Sequence, residues 1–183
     1  MVDLFDRSPV GLMDALCKRL ESVLASFWQV NEFGDEHEPH VHVQYLPVTK
    51  TEDKERDKSK DYPIAQVVCN GGKITSFSPA ENGSEISIDI YFGAWQNTTD
   101  NQGWRLPASM LWRVAQDLEG NTLVNGYQLV TPIEWSTLNT KEPPYYTAVI
   151  KTKWRGAAPS IETPTELEGS LDLDLDEKSG VIF

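Results

Sequence analysis

Two stretches of the chain have apolar residues at helical spacing. In the first, Ser8 is a favourable N-cap and Pro9 occupies the first helical position. Apolar side chains then recur at intervals of three or four residues, at Leu12, Leu16, Leu20, Val23 and Phe27. This pattern predicts an amphipathic helix that ends near Phe27.

The second helical pattern is predicted to begin near Pro107. Its apolar stripe consists of Ala108, Leu111, Ala115 and Leu118. Gly120 follows at a position where a glycine commonly ends a helix.

Alternation of apolar and polar residues predicts strands. The clearest example runs from Ser84 to Phe92. Its inward positions are Ile86, Ile88, Ile90 and Phe92, and its outward positions are Glu85, Ser87, Asp89 and Tyr91.

Four other segments are predicted as strands. The first runs from His40 to Leu46, with Val41, Val43 and Tyr45 on one side, and Pro47 stops it. The second is the apolar run Ile64 to Val68, with a turn expected at Asn70-Gly71-Gly72 because these residues tolerate positive φ. The last two are Tyr127 to Trp135 and Tyr145 to Trp154, divided by Pro143-Pro144.

The predicted order is therefore helix, three strands, helix, two strands. This order favours the α+β class, with a largely antiparallel β-sheet and two α-helices packed on one face. With 183 residues and 39% apolar residues, the chain suits one domain, predicted over residues 1–156. Residues 49–61 are almost wholly polar and charged, which predicts a mobile loop within that domain.

Charge and composition exclude several classes of function. The net charge of −12 argues against general binding to nucleic acid or anionic lipid, because phosphate contact depends on clustered Lys and Arg. No segment has the length and apolarity of a membrane span, and the N-terminus lacks the pattern of a secretory signal. We therefore expect a soluble protein made in the cytoplasm. Cys17 and Cys69 are too few for a disulfide framework, so buried thiols are expected.

Three segments of the chain carry motifs that follow one another in a fixed order. "VQYLPVTKTEDKERDKSKDYPIAQVV" combines a predicted strand, a charged loop and a D-Y-P strand. "ISIDIYFGAWQNTTDNQGWR" combines an alternating strand, its F-G-x-aromatic end, a polar loop and a D-x-Q-G-aromatic-R sequence that opens the second helix. "PIEWSTLNTKEPPYYTAVIKTKW" is predicted to be a closing hairpin whose last strand ends in tryptophan. In these motifs, over roughly Val41 to Trp154, the chain resembles the bacteriophage tail-terminator (tail completion) proteins, and the shared order is more specific than any single motif.

The chain departs from the family's pattern at two places. Leu106 follows the arginine where an acidic residue is common, and Thr147-Ala148 stands where an aromatic-glycine pair is usual. These departures affect individual contacts more than they affect the resemblance.

The resemblance implies a structural virion protein at the head-proximal end of the tail, made in the host cytoplasm. Such subunits assemble as a ring, usually a hexamer, that caps the tail tube, ends its polymerisation and joins it to the head connector. The implied partners are further copies of the chain, the tail tube protein and the connector or stopper protein of the head. DNA would pass through the ring without sequence-specific binding, and an acidic lining would prevent it from sticking.

A ring of identical subunits needs two different patches on each protomer. The candidate interface residues near the second helix are Trp95, Asp100, Trp104, Arg105 and Trp112. Amphipathic indole rings are frequent interface anchors, although core packing is the alternative for each tryptophan. Arg105 either meets an acidic neighbour across the ring or forms an ordinary surface pair.

Two charged segments give further candidates. Lys54 and Arg56 lie in the charged loop, which either projects onto the tail tube or is simply solvated. The C-terminal segment 157–183 holds much of the negative charge, and within it Leu171, Leu173 and Leu175 alternate with aspartates. This segment is either an acidic tail or an arm exchanged with a neighbouring subunit as an edge strand.

Two rival functions remain open. A neck or head-completion protein that bridges connector and tail would share the same general properties. From another class, a metal-dependent hydrolase would use His37, His40 and His42, of which His40 and His42 share one strand face. No further histidine exists for a four-ligand site, and the usual nucleophile and phosphate-binding motifs are absent, so no catalytic residue, metal or cofactor is assigned.

Overall fold

The computed structural model describes residues 8–30, 34–46, 61–76, 83–97, 102–138 and 144–156. The helices and strands, in chain order, are α1 (Pro9–Leu24), β1 (Gln29–Val30), β2 (Glu36–His37), β3 (His40–Val43), β4 (Ile64–Ser76), β5 (Gly83–Trp95), α2 (Arg105–Gly120), β6 (Leu123–Val124), β7 (Tyr127–Leu138) and β8 (Tyr145–Gly156). The predicted α+β class is confirmed: two helices pack against a mostly antiparallel, curled sheet.

The main sheet has six strands in the order β3-β4-β5-β8-β7-β6. All neighbours are antiparallel except β3 and β4, which are parallel. The short strand β6 pairs only with the start of β7, at Tyr127 and Gln128. The remainder of β7 therefore has no strand beside it on that edge within the described part of the chain. A separate two-stranded sheet is formed by β1 and β2.

The hydrophobic core lies between the two helices and one face of the sheet. The four inward residues predicted on β5 are all buried, and they face Ala148, Ile150 and Trp154 on β8. The helices contribute Leu12, Leu16, Leu20, Leu24, Met110, Leu111, Val114 and Leu118. The core thus closes on one side of the sheet, and the other face carries no helix among the described residues.

Trp154 is the largest fully buried side chain, and its polar atom is satisfied. The indole Nε1 donates to Oγ1 of Thr152 at 2.7 Å, and that hydroxyl donates to the carbonyl oxygen of Ile88 at 2.8 Å. Because a buried donor without a partner costs stability, this chain of hydrogen bonds allows an indole to occupy the core.

The turn predicted at Asn70-Gly71-Gly72 was wrong. β4 continues through these residues as one long strand and accommodates them with a β-bulge between Cys69 and Gly71, where Gly71 has φ 107°. The side chain of Gln44 supports the irregularity: its Oε1 accepts from the Cys69 backbone N–H at 3.0 Å. The glycines therefore permit a bulge within a strand rather than a reversal of the chain.

Several predicted boundaries also differ. α1 ends at Leu24 rather than near Phe27, although Phe27 still packs partly against the core. The strand predicted as far as Leu46 ends at Val43, because Gln44 has φ 60° and leaves the extended conformation. Tyr45, which was predicted to share the buried side, is 79% exposed. On β5, Asp89 faces away from the helices as predicted, but it is buried on the helix-free face.

The second helix begins at Arg105, two residues before the predicted start, and its buried stripe includes Met110 and Val114. Ala108 was predicted in that stripe but lies at its border, where it is only partly buried and lines a surface groove. Of the two cysteines, Cys17 is buried as predicted, and burial raises the pKa of its thiol to about 12; Cys69 is only partly buried. None of the described helices is long and apolar enough to cross a membrane.

The two helices are joined by Arg19 of α1, which caps the C-terminal end of α2. Its Nε donates to Oδ2 of Asp117 at 2.5 Å, and Nη2 donates to the Asp117 carbonyl oxygen at 2.8 Å. Nη1 donates to the carbonyl oxygen of Asn121 at 2.9 Å. A cation at this position is favoured by the helix dipole and adds donors at the helix end, where the Asp117 carbonyl also accepts from the Asn121 backbone N–H at 3.1 Å.

We expect the Arg19→Met substitution to lower the free energy of unfolding by about 2 kcal/mol, because the ion pair with Asp117 and the hydrogen bonds from the guanidinium are lost. Urea denaturation followed by circular dichroism measures the change. Arg19→Lys should lose less, and Lys18→Met, which alters an exposed neighbour on the same helix, serves as the control. Equal stability of the Arg19→Met and Lys18→Met variants would contradict the assigned role.

Candidate functional site

The outward face of α2 carries a groove of about 610 Å³. Trp104, Ala108 and Trp112 follow one another at intervals of four residues, so they form one row along the helix. The two indoles bound the groove, and the small side chains of Ala108 and Ser109 lie between them. Trp104 is 50% exposed and Trp112 is 54% exposed, so large apolar surfaces on this face remain in contact with solvent.

A third tryptophan extends this apolar surface onto the edge of the sheet. Trp135 of β7 is 55% exposed and meets Trp112 edge to face, with ring centroids 6.0 Å apart and an interplanar angle of 80°. Trp135 is in register with Ile150, so it lies on the helix-covered side of the sheet. The pair therefore joins the outer face of α2 to the open edge of β7.

Two arginines line the same groove. Arg105 and Arg113 are both exposed, and neither forms an ion pair with any residue in the described part of the chain. Exposed aromatic side chains beside arginine are the composition in which protein interfaces are enriched. We call the surface formed by Trp104, Arg105, Ala108, Ser109, Trp112, Arg113 and Gln116 the α2 groove.

The structure brings three of the candidate interface residues, Trp104, Arg105 and Trp112, into the α2 groove. Trp95, the fourth candidate that is described, is partly buried at the end of β5. The Gln29 side chain holds its backbone: the Trp95 N–H donates to Oε1 of Gln29 at 3.2 Å, and Nε2 of Gln29 donates to the Trp95 carbonyl oxygen. Trp95 therefore belongs to the packing between β1 and β5 rather than to the groove. The candidates Lys54, Arg56, Asp100, Leu171, Leu173 and Leu175 lie outside the described residues.

Trp135 and Arg113 were missed by the sequence analysis. Trp135 was treated only as the end of a strand, and Arg113 had no motif to mark it. The four-residue spacing of Trp104, Ala108 and Trp112 was a usable signal, because it places two tryptophans in one row at the border of the buried stripe, next to the exposed Arg105 and Ser109.

The motifs that suggested the family resemblance meet at one end of the sheet. Gly93 of the F-G-x-aromatic motif lies beneath Tyr62 of the D-Y-P motif; a Cβ on Gly93 would be 3.0 Å from Tyr62 Cε1. Tyr62 also contacts Tyr145, with ring centroids 5.5 Å apart. Gly103 of the D-x-Q-G motif lies against the ring of Tyr146. These motif residues act as packing elements that fix where α2 begins.

The three histidines do not form a compact cluster. The rings of His40 and His42 have centroids 6.4 Å apart on β3, whereas His37 belongs to β2. Burial lowers the pKa of His42, His40 lowers it further, and Asp61 opposes the shift. No group of three or more His, Cys, Asp or Glu residues is placed to hold a metal ion within the residues that the structure describes.

The helix-free face of the sheet carries a row of cations on β8. Lys151, Lys153 and Arg155 are exposed there at alternate positions. The register places Lys151 between Asp89 and Glu134. Lys151 and Arg155 of this row thus have acidic cross-strand neighbours, although neither forms an ion pair among the described residues.

Comparison with known proteins gave no family model that matches this chain and no curated protein that matches it.

We expect Gly103→Ala to destabilise the fold by about 2 kcal/mol, because the added Cβ would overlap the Tyr146 ring in a buried position. Thermal unfolding measures the effect. Gly120→Ala is the matched control: it lies at the end of α2, a Cβ there meets nothing within 4 Å, and stability should rise by about 0.5 kcal/mol. If both variants unfold like the wild type, the contact between Gly103 and Tyr146 does not fix the start of α2.

Proposed function

We propose that this chain is a structural subunit of a bacteriophage tail, a tail terminator that forms a ring at the head-proximal end. In this role it caps the tail tube, ends its polymerisation and contacts the connector of the head. Its function is carried by protein surfaces, and no catalytic residue is assigned. The three segments between roughly Val41 and Trp154, which occur in the same order as in that family, support the choice of family.

The α2 groove is the observation that carries the proposal. A monomer that works alone gains nothing from three tryptophans that are each at least half exposed on one continuous surface. Exposing such a surface to water is unfavourable, and burying it against another protein recovers roughly 25 cal/mol for each Å² of apolar area. A protein that assembles with copies of itself has a use for this surface.

The arrangement also suits a ring in particular. A cyclic assembly with more than two members joins two different patches of each protomer, so each subunit must offer one patch to each neighbour. The α2 groove lies on the helix layer, whereas the row of Lys151, Lys153 and Arg155 lies on the opposite face of the sheet. Two chemically distinct surfaces on opposite sides of one small domain are compatible with such heterologous contacts.

The test is electron microscopy of phage particles assembled without this protein. We expect tail tubes longer than normal and heads that carry no tail, because nothing ends polymerisation of the tube. Free tails of normal length beside unjoined, DNA-filled heads would instead identify a neck or head-completion protein. Particles that are indistinguishable from normal ones would contradict both assignments.

A complementation control separates the structural function from metal-dependent hydrolysis. The double variant His40→Ala, His42→Ala should restore normal tails as well as the wild type does, and purified wild-type protein should contain zinc far below one equivalent, because a closed zinc site needs four well-placed ligands. Elemental analysis measures the metal content. Stoichiometric zinc that disappears in the double variant, together with failed complementation, would favour the hydrolase.

A further inference from the structure

The α2 groove combines two properties that together restrict what it can bind. Its walls are the exposed indoles of Trp104 and Trp112, and its floor is formed by the small side chains of Ala108 and Ser109. Arg105 and Arg113 add two positive charges with no ion-pair partner among the described residues. A segment that alternates apolar and acidic side chains fits this surface, because its apolar side chains cover the indoles and its carboxylates meet the guanidinium groups.

We propose that the α2 groove binds the C-terminal segment 170–183 of a neighbouring copy of this chain. The proposal rests on the proposed ring and assigns the contact that links one subunit to the next. The segment has the required chemistry: its apolar residues Leu171, Leu173 and Leu175 alternate with Asp172, Asp174 and Asp176, and Glu177 follows.

The spacing of the leucines in the segment matches the spacing of the tryptophans in the groove. In an extended chain, residues two apart are separated by about 6.7 Å, so Leu171 and Leu175 lie about 13 Å apart. Trp104 and Trp112 are eight residues apart on a helix, which corresponds to about 12 Å along its axis. In the proposed complex the outer leucines would pack against one indole each, and Leu173 would cover Ala108 and Ser109 of the groove.

The chain is long enough to reach a neighbour. The described residues end at Gly156, where β8 pairs with Ser84, whereas the start of α2 lies at the other end of β8, against Tyr146. The intervening residues 157–170 span at most about 50 Å when extended. A domain of this size has a diameter of roughly 40 Å, so the segment can cross to an adjacent subunit.

The proposed contact joins two different patches of the protomer, as a ring requires. The segment leaves one subunit at the C-terminal end of β8, and the groove of the next subunit receives it on α2. Because each subunit gives one segment and offers one groove, the contact can repeat until the ring closes.

The first experiment uses the full chain with Leu171→Ser, Leu173→Ser and Leu175→Ser, which we call the triple variant, and a synthetic peptide with the wild-type sequence of residues 170–183. We expect the peptide to bind the triple variant and to change the emission of the groove tryptophans. Trp112→Ala in this background should weaken peptide binding by about 30-fold, because truncation of an aromatic anchor removes most of its contact. Tyr45→Ala, which truncates an exposed aromatic residue next to β3 at the opposite edge of the sheet, should leave binding unchanged.

The second experiment reverses the charges. Arg105→Glu together with Arg113→Glu should abolish binding of the wild-type peptide, and a peptide carrying Asp172→Lys, Asp174→Lys and Asp176→Lys should bind this variant instead. Lys73→Glu, at an exposed lysine of β4 outside both proposed patches, is the control and should change neither affinity. Circular dichroism of each variant checks that the fold is retained, so a loss of binding is not mistaken for a loss of structure.

Four outcomes would overturn the inference. The first is an absence of peptide binding to the folded triple variant, and the second is binding that is insensitive to Trp112→Ala and to the arginine reversals. The third is a wild-type protein that light scattering shows to be a monomer and that binds the peptide only after its own three leucines are replaced. In that case the segment occupies the groove of its own chain and not that of a neighbour. A ring that forms equally well in the wild type and the triple variant removes the inference but leaves the proposed function intact. Normal tails on particles without the protein remove the proposed function whatever the peptide does.

Discussion

The structure depends on burial of one face of the β5–β8 pair beneath the two helices. Ile88, Ile90 and Phe92 on β5 are fully buried, and Ile150 and Trp154 face them from β8. Side chains alternate across a strand, so burying these positions necessarily turns their neighbours to the other face. A helix that covers such a core also has one buried side and one outer side. For α2, burial of the stripe that contains Leu111 and Leu118 leaves the rest of the helix surface in contact with solvent, with Trp104 and Trp112 half exposed at the border of that stripe.

Regular periodicity was the part of the fold that the sequence predicted well. The alternation along β5 and the helical spacing along α1 each reflect one-sided burial, which leaves a direct record in the order of residues. Irregular features left a weaker record. Gly71 and Gly72 have the same local preference in a turn as in a bulge, and the difference between the two is made by the Gln44 side chain, which is 25 residues away from its partner Cys69. Such long-range support cannot be read from a short window of sequence.

The candidate site, like the fold, was predicted only in part from the sequence. Three of the predicted interface residues do line the α2 groove, because tryptophan and arginine near a helix start were informative residue types. Trp135 was not predicted as a partner of Trp112, since their contact depends on how α2 lies across β7. The glycines of the family-like motifs serve internal packing and not contact with a partner. Gly93 and Gly103 provide room for Tyr62 and Tyr146, and they thereby fix the start of α2, on which the groove depends.

The charges beside the tryptophans of the α2 groove restrict the kind of partner that the groove can bind. The chain is strongly acidic, yet Arg105 and Arg113 of the α2 groove form no ion pair with the described residues. On β8, Lys151 and Arg155 are in register with acidic residues on neighbouring strands, although they form no ion pair among the described residues either. An exposed guanidinium without an ion-pair partner costs the fold little free energy, because water hydrates it. Its position next to two indoles therefore indicates which chemical groups a partner needs in order to displace that water. A partner that presents carboxylates and apolar groups in turn would replace the hydration of Arg105 and Arg113 with charge-assisted hydrogen bonds and would cover the indoles at the same time. A purely apolar partner would bury the tryptophans but would leave the arginines without hydrogen-bond acceptors. A purely acidic partner would pair with the arginines but would leave the tryptophans exposed to water. The groove therefore selects for alternation, which is the property that the last part of this chain has.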